Sequence, residues 1–192
     1  MAFQWSLAAL ETLMAEDQMD QHAAVLRAFS VVELWRLRRV CRAFHRWGTA
    51  ALAALPRVAV VGGETEDEQA TASVEVLDLS TLRWSSGVVP ALPEPRDAHA
   101  ACAFGDGRVV VAGGHDPDGN TVRTALQWVR GAAAWVPLPN LAEKRRNMPA
   151  VALPDGRAML IGGRDHRHRD LALVEVLAAD GSGWSALAPL GT

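Results

Sequence analysis

The chain has 192 residues, a formal net charge of −3, 49% hydrophobic and 21% charged residues. That length can bury a core in one or two domains, while the nearly balanced charge lacks the concentrated positive surface that phosphate binding needs, which argues against a nucleic-acid protein. Two cysteines, Cys41 and Cys102, fall in segments of different character and indicate neither a metal quartet nor a disulfide framework, so a reducing intracellular compartment fits best.

The N-terminus has no basic leader and its apolar stretch is interrupted at Glu11, which argues against a secretory signal. The longest apolar run, up to Gly63, is broken at Pro56 and Arg57, below membrane-spanning length. A soluble protein of the cytoplasm or nucleus is expected.

Residues 1–55 are rich in Ala, Leu, Arg and Glu with a single glycine, Gly48; after Pro56, glycine, proline, valine and turn dipeptides dominate. This shift predicts a helical domain over 1–56 and a second domain over 57–192. Ser30 and Glu33 have the spacing of a capping box, so a helix is predicted from Val31. Leu34, Leu37, Val40 or Cys41, Phe44 and Trp47 then recur every three or four residues along one face, and Gly48 is expected to stop the helix. Shorter helices are predicted over 23–29 and 7–14. Arg36, Arg38, Arg39, Arg42 and Arg46 read as the solvated face opposite the apolar stripe. Contact with an acidic partner, or a calmodulin-like or membrane-surface helix, is the functional alternative.

Beyond Pro56 one pattern is written three times. Apolar strands end in glycine pairs at Gly63, Gly114 and Gly163, and tryptophans follow at Trp84, Trp135 and Trp184, both series with offsets of 51 and 49. Asp106-Gly107 and Asp155-Gly156, which favour a tight hairpin, repeat at 49 as well. A repeat of that length built from short strands reads as a β-propeller blade. Strands are predicted over 98–104, 108–112, 122–129 and 133–137 in the middle repeat, and over 148–153, 157–161, 171–177 and 183–187 in the third. The first repeat enters at the second strand, 58–61, and continues through 73–78 and 82–85 without an innermost strand. The expected fold is therefore mainly β with a helical N-terminus, with about three four-stranded blades (57–90, 91–140 and 141–192) of an incomplete propeller. Since closed propellers need about four to eight blades, either the chain is truncated or other chains cover its open edges.

Strands alternating in direction would bring the loops between second and third strands, and the connections between blades, to one face. That face would present residues 64–68, 115–120 and 164–170 with Glu94, Lys144 and a candidate substrate-binding set of Arg96, His115, Arg145, Arg146, Arg164 and His166, whose arginines could pair with acidic groups on a target. Asp116-Pro-Asp118-Gly-Asn120 lacks the later glutamate of a calcium loop and reads as a turn. His166 and His168 have no evident third ligand, so neither a metal nor a cofactor is expected.

The glycine pairs, the Val74–Asp78 segment Val-Glu-Val-Leu-Asp and the later tryptophans resemble Kelch repeats, across about two thirds of the chain, although the sequence has no tyrosine. Residues 24–47 resemble the second half of an F-box, with Phe29, Ser30, Glu33, Leu34, Leu37, Val40, Cys41 and Phe44 at the matching positions; the usual Leu-Pro opening is replaced by the polar segment 14–22.

What these resemblances imply is a substrate-recognition adaptor of a cullin-type ubiquitin ligase. Phe29, Leu34, Leu37, Val40, Cys41 and Phe44 would contact a Skp-type adaptor, and the Kelch face would hold a protein target. The chain would then not be an enzyme, the chemistry residing in its partners. Some Kelch propellers are copper oxidases with a cysteine-linked tyrosyl radical, a cofactor that a chain without tyrosine cannot build. The alternative is a Kelch interaction scaffold whose helical N-terminus caps the open first blade or mediates self-association; a remnant of a propeller enzyme such as a sugar epimerase ranks last.

Overall fold

A computed structural model of the chain describes residues 31–39, 42–53 and 57–191. The helices predicted over 7–14 and 23–29, Phe29, and the Ser30 end of the capping box lie outside the described residues, as do Val40 and Cys41. The chain divides into two compact units, Met1–Val58 with Leu77–Trp84, and Ala59–Val76 with Ser85–Thr192.

In the first unit, α1 (Val31–Leu37) begins at the predicted residue and is followed by α2 (Arg42–Ala53). The single helix expected from Val31 to Trp47 is thus two helices, and Gly48 lies inside α2 rather than ending a helix. At the end of α1 the Arg39 amide donates to the Arg36 carbonyl at 3.1 Å, a three-residue bond that tightens the last turn. Gly48 sits within α2 because the space beside it is taken: a Cβ there would lie 2.7 Å from Arg38 Cγ and 3.2 Å from the Leu34 carbonyl oxygen. Close approach of the two segments offsets the roughly 1 kcal/mol that glycine costs in a helix interior. Leu34 and Leu52 are buried in this unit.

The remainder is strand and turn. The strands β1 (Val58–Val61), β2 (Val74–Asp78) and β3 (Arg83–Ser86) form a sheet in the order β1-β2-β3. A four-stranded sheet follows, β4 (Ala100–Ala103), β5 (Val109–Ala112), β6 (Ala125–Trp128) and β7 (Val136–Leu138), and then another, β8 (Ala150–Ala152), β9 (Ala158–Ile161), β10 (Val174–Leu177) and β11 (Trp184–Ala186). Each four-stranded sheet is an antiparallel meander whose spatial order follows the chain. The strands fall within the predicted segments, shortened at the ends, apart from a one-residue overrun at Ser86 and at Leu138.

The registers repeat with the sequence. Cys102 faces Val110 across β4 and β5, and Val151 faces Met159 across β8 and β9, both pairs shifted by 49. The intervening turns are built alike: the amides of Gly107 and Gly156 donate to Phe104 and Leu153, and only the glycine of each Asp-Gly pair has positive φ, at 89° and 85°. This is a three-residue hairpin with glycine in the left-handed position, not a two-residue turn. Asp106 and Asp155 each accept the following arginine's backbone amide and its Nε, at 2.9 and 2.7 Å and at 3.2 and 2.8 Å.

Successive sheets are joined by a repeated contact. Trp135 Nε1 donates to the Pro90 carbonyl and Trp184 Nε1 to the Pro139 carbonyl, both at 2.8 Å and both 45 residues back. Trp135 closes a core with Val61, Val74, Val76, Val89, Leu92, Val109, Val111 and Trp128. Leu141, Met148 and Leu160 centre the next, with Trp184 packed against it. Trp84, at the same repeat position, is 52% exposed. Trp135→Phe is therefore expected to cost about 1–2 kcal/mol by orphaning the Pro90 carbonyl, whereas Trp84→Phe should change stability by less than about 0.5 kcal/mol; urea unfolding of the two variants checks the contrast.

Candidate interaction surface

The loops joining β1 to β2, β5 to β6 and β9 to β10 are built on one plan. Thr65, Asp116 and Asp165 each receive a backbone bond from the residue three places on (Glu68, Gly119, His168) and donate their amide to the residue four places on (Gln69, Asn120, Arg169). The residue three places on has positive φ each time: Glu68 57°, Gly119 76° and His168 62°. The first side chain then caps the loop. Asp116 Oδ1 accepts the amides of Asp118 and Asn120 at 3.0 and 2.8 Å, and Asp165 Oδ1 accepts those of Arg167 and Arg169 at 2.7 and 3.0 Å. The Asp116 run is a turn, as its composition predicts. Among the described residues no group of three or more His, Cys, Asp or Glu is placed to hold a metal ion.

Asp165 is buried, and burial acts to raise its pKa, but the Arg169 amide and guanidinium and the Arg167 amide outweigh it and hold the carboxyl at about 2. A carboxyl depressed in the folded state adds stability above its unfolded pKa of about 4 that is lost as the pH falls toward 2. The stability advantage of the native chain over Asp165→Asn should accordingly be largest above about pH 4 and shrink toward pH 2, as measured by urea unfolding across that range.

Connections between sheets meet these loops, as strand alternation predicts. Asp97 pairs with His115, and Arg146 with Arg164, as isolated antiparallel bridges outside the named strands. His115 Nδ1 lies 3.0 Å from Asp97 Oδ1. Arg146 Nη2 donates to His168 Nδ1 at 2.6 Å, a bond that requires that nitrogen to be unprotonated. Arg164 Nε pairs with Asp170 at 2.7 Å with both side chains exposed, an arrangement that adds little stability and leaves the charges near solvent. His166 is exposed.

Two members of the candidate substrate-binding set belong elsewhere. Arg96 and Arg145 are buried, and their guanidinium groups reach into the following sheet with the same geometry. Arg96 Nη1 donates to the carbonyls of Gly113 and Thr124 at 2.8 and 3.4 Å, and its Nη2 to Thr124 Oγ1 at 2.8 Å. Arg145 Nη1 donates to Gly162 and Leu173 at 2.9 and 3.2 Å, and its Nη2 to Glu175 Oε2 at 2.7 Å. Both arginines therefore tie one sheet to the next and are withdrawn from the surface. Burial lowers their pKa values from the ordinary arginine range, with Glu175 opposing that shift at Arg145 and Glu94 at Arg96. Thr124, Glu175 and Asp97 were not singled out from the sequence, although the Arg96 and Arg145 spacing of 49 was a signal for a paired role; His168 was weighed only as a metal ligand, not as a partner of Arg146.

Of the residues assigned to adaptor contact, Leu34 is buried, at 2% exposed. Leu37 lies in α1 and Phe44 in α2. Phe29, Val40 and Cys41 lie outside the described residues. Cys102 is half-buried, and burial pushes its thiol up to about 11, which keeps Cys102 a neutral thiol at neutral pH. No helix among the described residues is long and apolar enough to cross a membrane. Compared with known proteins, the sequence matches no family model and no curated protein.

Proposed function

We propose that the chain is a substrate-recognition adaptor of a cullin-type ubiquitin ligase. In this reading its F-box-like helical unit docks on a Skp-type adaptor, and its repeated sheets, taken as Kelch blades, hold a protein target. The observation that carries the reading is the three-fold loop: one backbone plan carries Glu64 to Gln69 in the first sheet, His115 to Asn120 in the second and Arg164 to Arg169 in the third. A constant scaffold under variable, mostly exposed polar tips is how recognition surfaces are built. His115, Arg146, Arg164 and His166 remain the residues of choice for target contact.

Leu34 supports the docking helix from within, and the exposed side of α1, with Val32 and Arg36, faces solvent. A pull-down of the chain on immobilised Skp-type adaptor is expected to retain the native protein and to lose a Val32→Asp/Arg36→Glu variant. Failure of the folded native chain to bind would favour the second reading, a Kelch-type interaction scaffold without a ligase role. The burial of Leu34 is the observation that speaks for that second reading, since the residue matched to an adaptor contact is already covered.

A further inference from the structure

One row of bridged residues changes its charge between the second sheet and the third. In the second, His115 bridges Asp97 on one side and Thr121 on the other. In the third, 49 residues on at all three positions, Arg164 bridges Arg146 and Asp170. An acid beside a histidine has become two arginines side by side. The Arg146 amide donates to the Arg164 carbonyl at 3.0 Å and the Arg164 amide to the Arg146 carbonyl at 2.9 Å, so both side chains leave the same face of the pair. Like charges directly opposite one another are destabilising, and the chain neutralises them only in part. Asp170 takes Arg164 through Nε alone, with side chains 51% and 79% exposed. No carboxylate among the described residues pairs with Arg146. Its partner is the unprotonated nitrogen of His168, and its Nε is buried without a hydrogen bond.

We propose that Arg146 and Arg164 together clamp a phosphate ester, a phosphorylated side chain on the protein target; the assignment rests on the reading of this face as the target-contact surface. Charge favours phosphate over carboxylate. A carboxylate is already tethered beside the pair, in Asp170, and it leaves the Nη groups of Arg164 and Nη1 of Arg146 without partners among the described residues. An incoming carboxylate would at best replace Asp170 at Arg164, like for like. A phosphate ester brings close to two negative charges and three acceptor oxygens, enough to engage two guanidinium forks at once. The exposed Arg164–Asp170 pair adds little stability and gives way at little cost.

Nitrogen-15 NMR of the full chain tests this, reading the arginine Nε–H signals at about pH 7.5, where a phosphoryl group carries nearly its full charge. The probes are a glycine-flanked phosphoserine peptide, its glutamate counterpart and inorganic phosphate. Saturable shifts of the Arg146 and Arg164 signals with the phosphopeptide are expected, with affinity at least about tenfold above that of the glutamate peptide. Arg146→Asp restores the acid of the second sheet's row, so it should fold with an unchanged circular dichroism spectrum and melt no lower than the native chain, while its phosphopeptide affinity falls at least about tenfold. No saturable response from the native chain overturns the proposal, as does an equal response to the glutamate peptide. A response undiminished in Arg146→Asp overturns it by placing the site elsewhere, and inorganic phosphate binding more tightly than the peptide overturns the assignment to a target side chain. No adaptor is present in this titration, so its failure is separate from a failure of the helical unit to dock, which the pull-down reads.

Discussion

Arg145→Met is expected to destabilise the protein by about 3–5 kcal/mol, because it leaves the Glu175 carboxylate buried without its charged partner. Arg145 is fully buried and Glu175 nearly so, and the two are joined at 2.7 Å. The Ala142 amide, at 3.0 Å from Glu175 Oε1, would be the carboxylate's remaining hydrogen bond among those described. Removing the positive charge strands the negative one in a low-dielectric site; removing both does not. The double variant Arg145→Met/Glu175→Leu should therefore recover the part due to the stranded charge, leaving the smaller cost of the unpaired Gly162 and Leu173 carbonyls and Ala142 amide. Arg96→Met offers an internal comparison, since its partners are neutral, the carbonyls of Gly113 and Thr124 and the Thr124 hydroxyl. Its cost should be smaller, about 1–3 kcal/mol, the penalty of unpaired neutral acceptors. Urea unfolding of the three variants gives the ordering, and an Arg145→Met cost equal to that of Arg96→Met would show that the ion pair contributes nothing specific.

Gly114→Ala should be comparably severe, about 3–5 kcal/mol or failure to fold. The residue has a φ of +94°, and a Cβ there would collide with the Asp97 carbonyl oxygen and lie 2.8 Å from His99 Cβ. Neither obstacle can swing away: the carbonyl accepts the His115 amide, and the His99 backbone leads into β4. Gly119→Ala is the control. It has a φ of +76° with nothing within 4 Å of a Cβ, so only the left-handed backbone penalty of about 1 kcal/mol applies. Thermal melts of the two variants separate crowding from conformational preference.

Much of the sheet architecture was legible because its landmarks are imposed locally. Gly63, Gly114 and Gly163 all have positive φ and Gly107 and Gly156 hold hairpin positions, so the backbone itself demands glycine there. Trp135 and Trp184 kept their spacing because each must meet a proline carbonyl at a fixed repeat distance. The helical region was less legible. Gly48 reads as a stop signal when only propensity is weighed, yet its reason lies in the space taken up by Leu34 and Arg38, which no local pattern reveals. The arginines misled for a similar reason. Arginine is ordinarily a surface residue, and only the tertiary placement of carbonyls at Gly113, Thr124, Gly162 and Leu173 draws Arg96 and Arg145 inward. His115, Arg146 and Arg164 do gather where the loops meet the inter-sheet connections, since alternation of strand direction alone dictates that meeting.

Assembly with a ligase scaffold bears most directly on the proposed role. The purified chain, a Skp-type adaptor and a cullin N-terminal region, mixed and run on a sizing column with light-scattering detection, should co-elute at a mass that accounts for all three components. Elution of the chain apart from an adaptor–cullin complex, with its own native circular dichroism spectrum intact, would contradict the ligase reading.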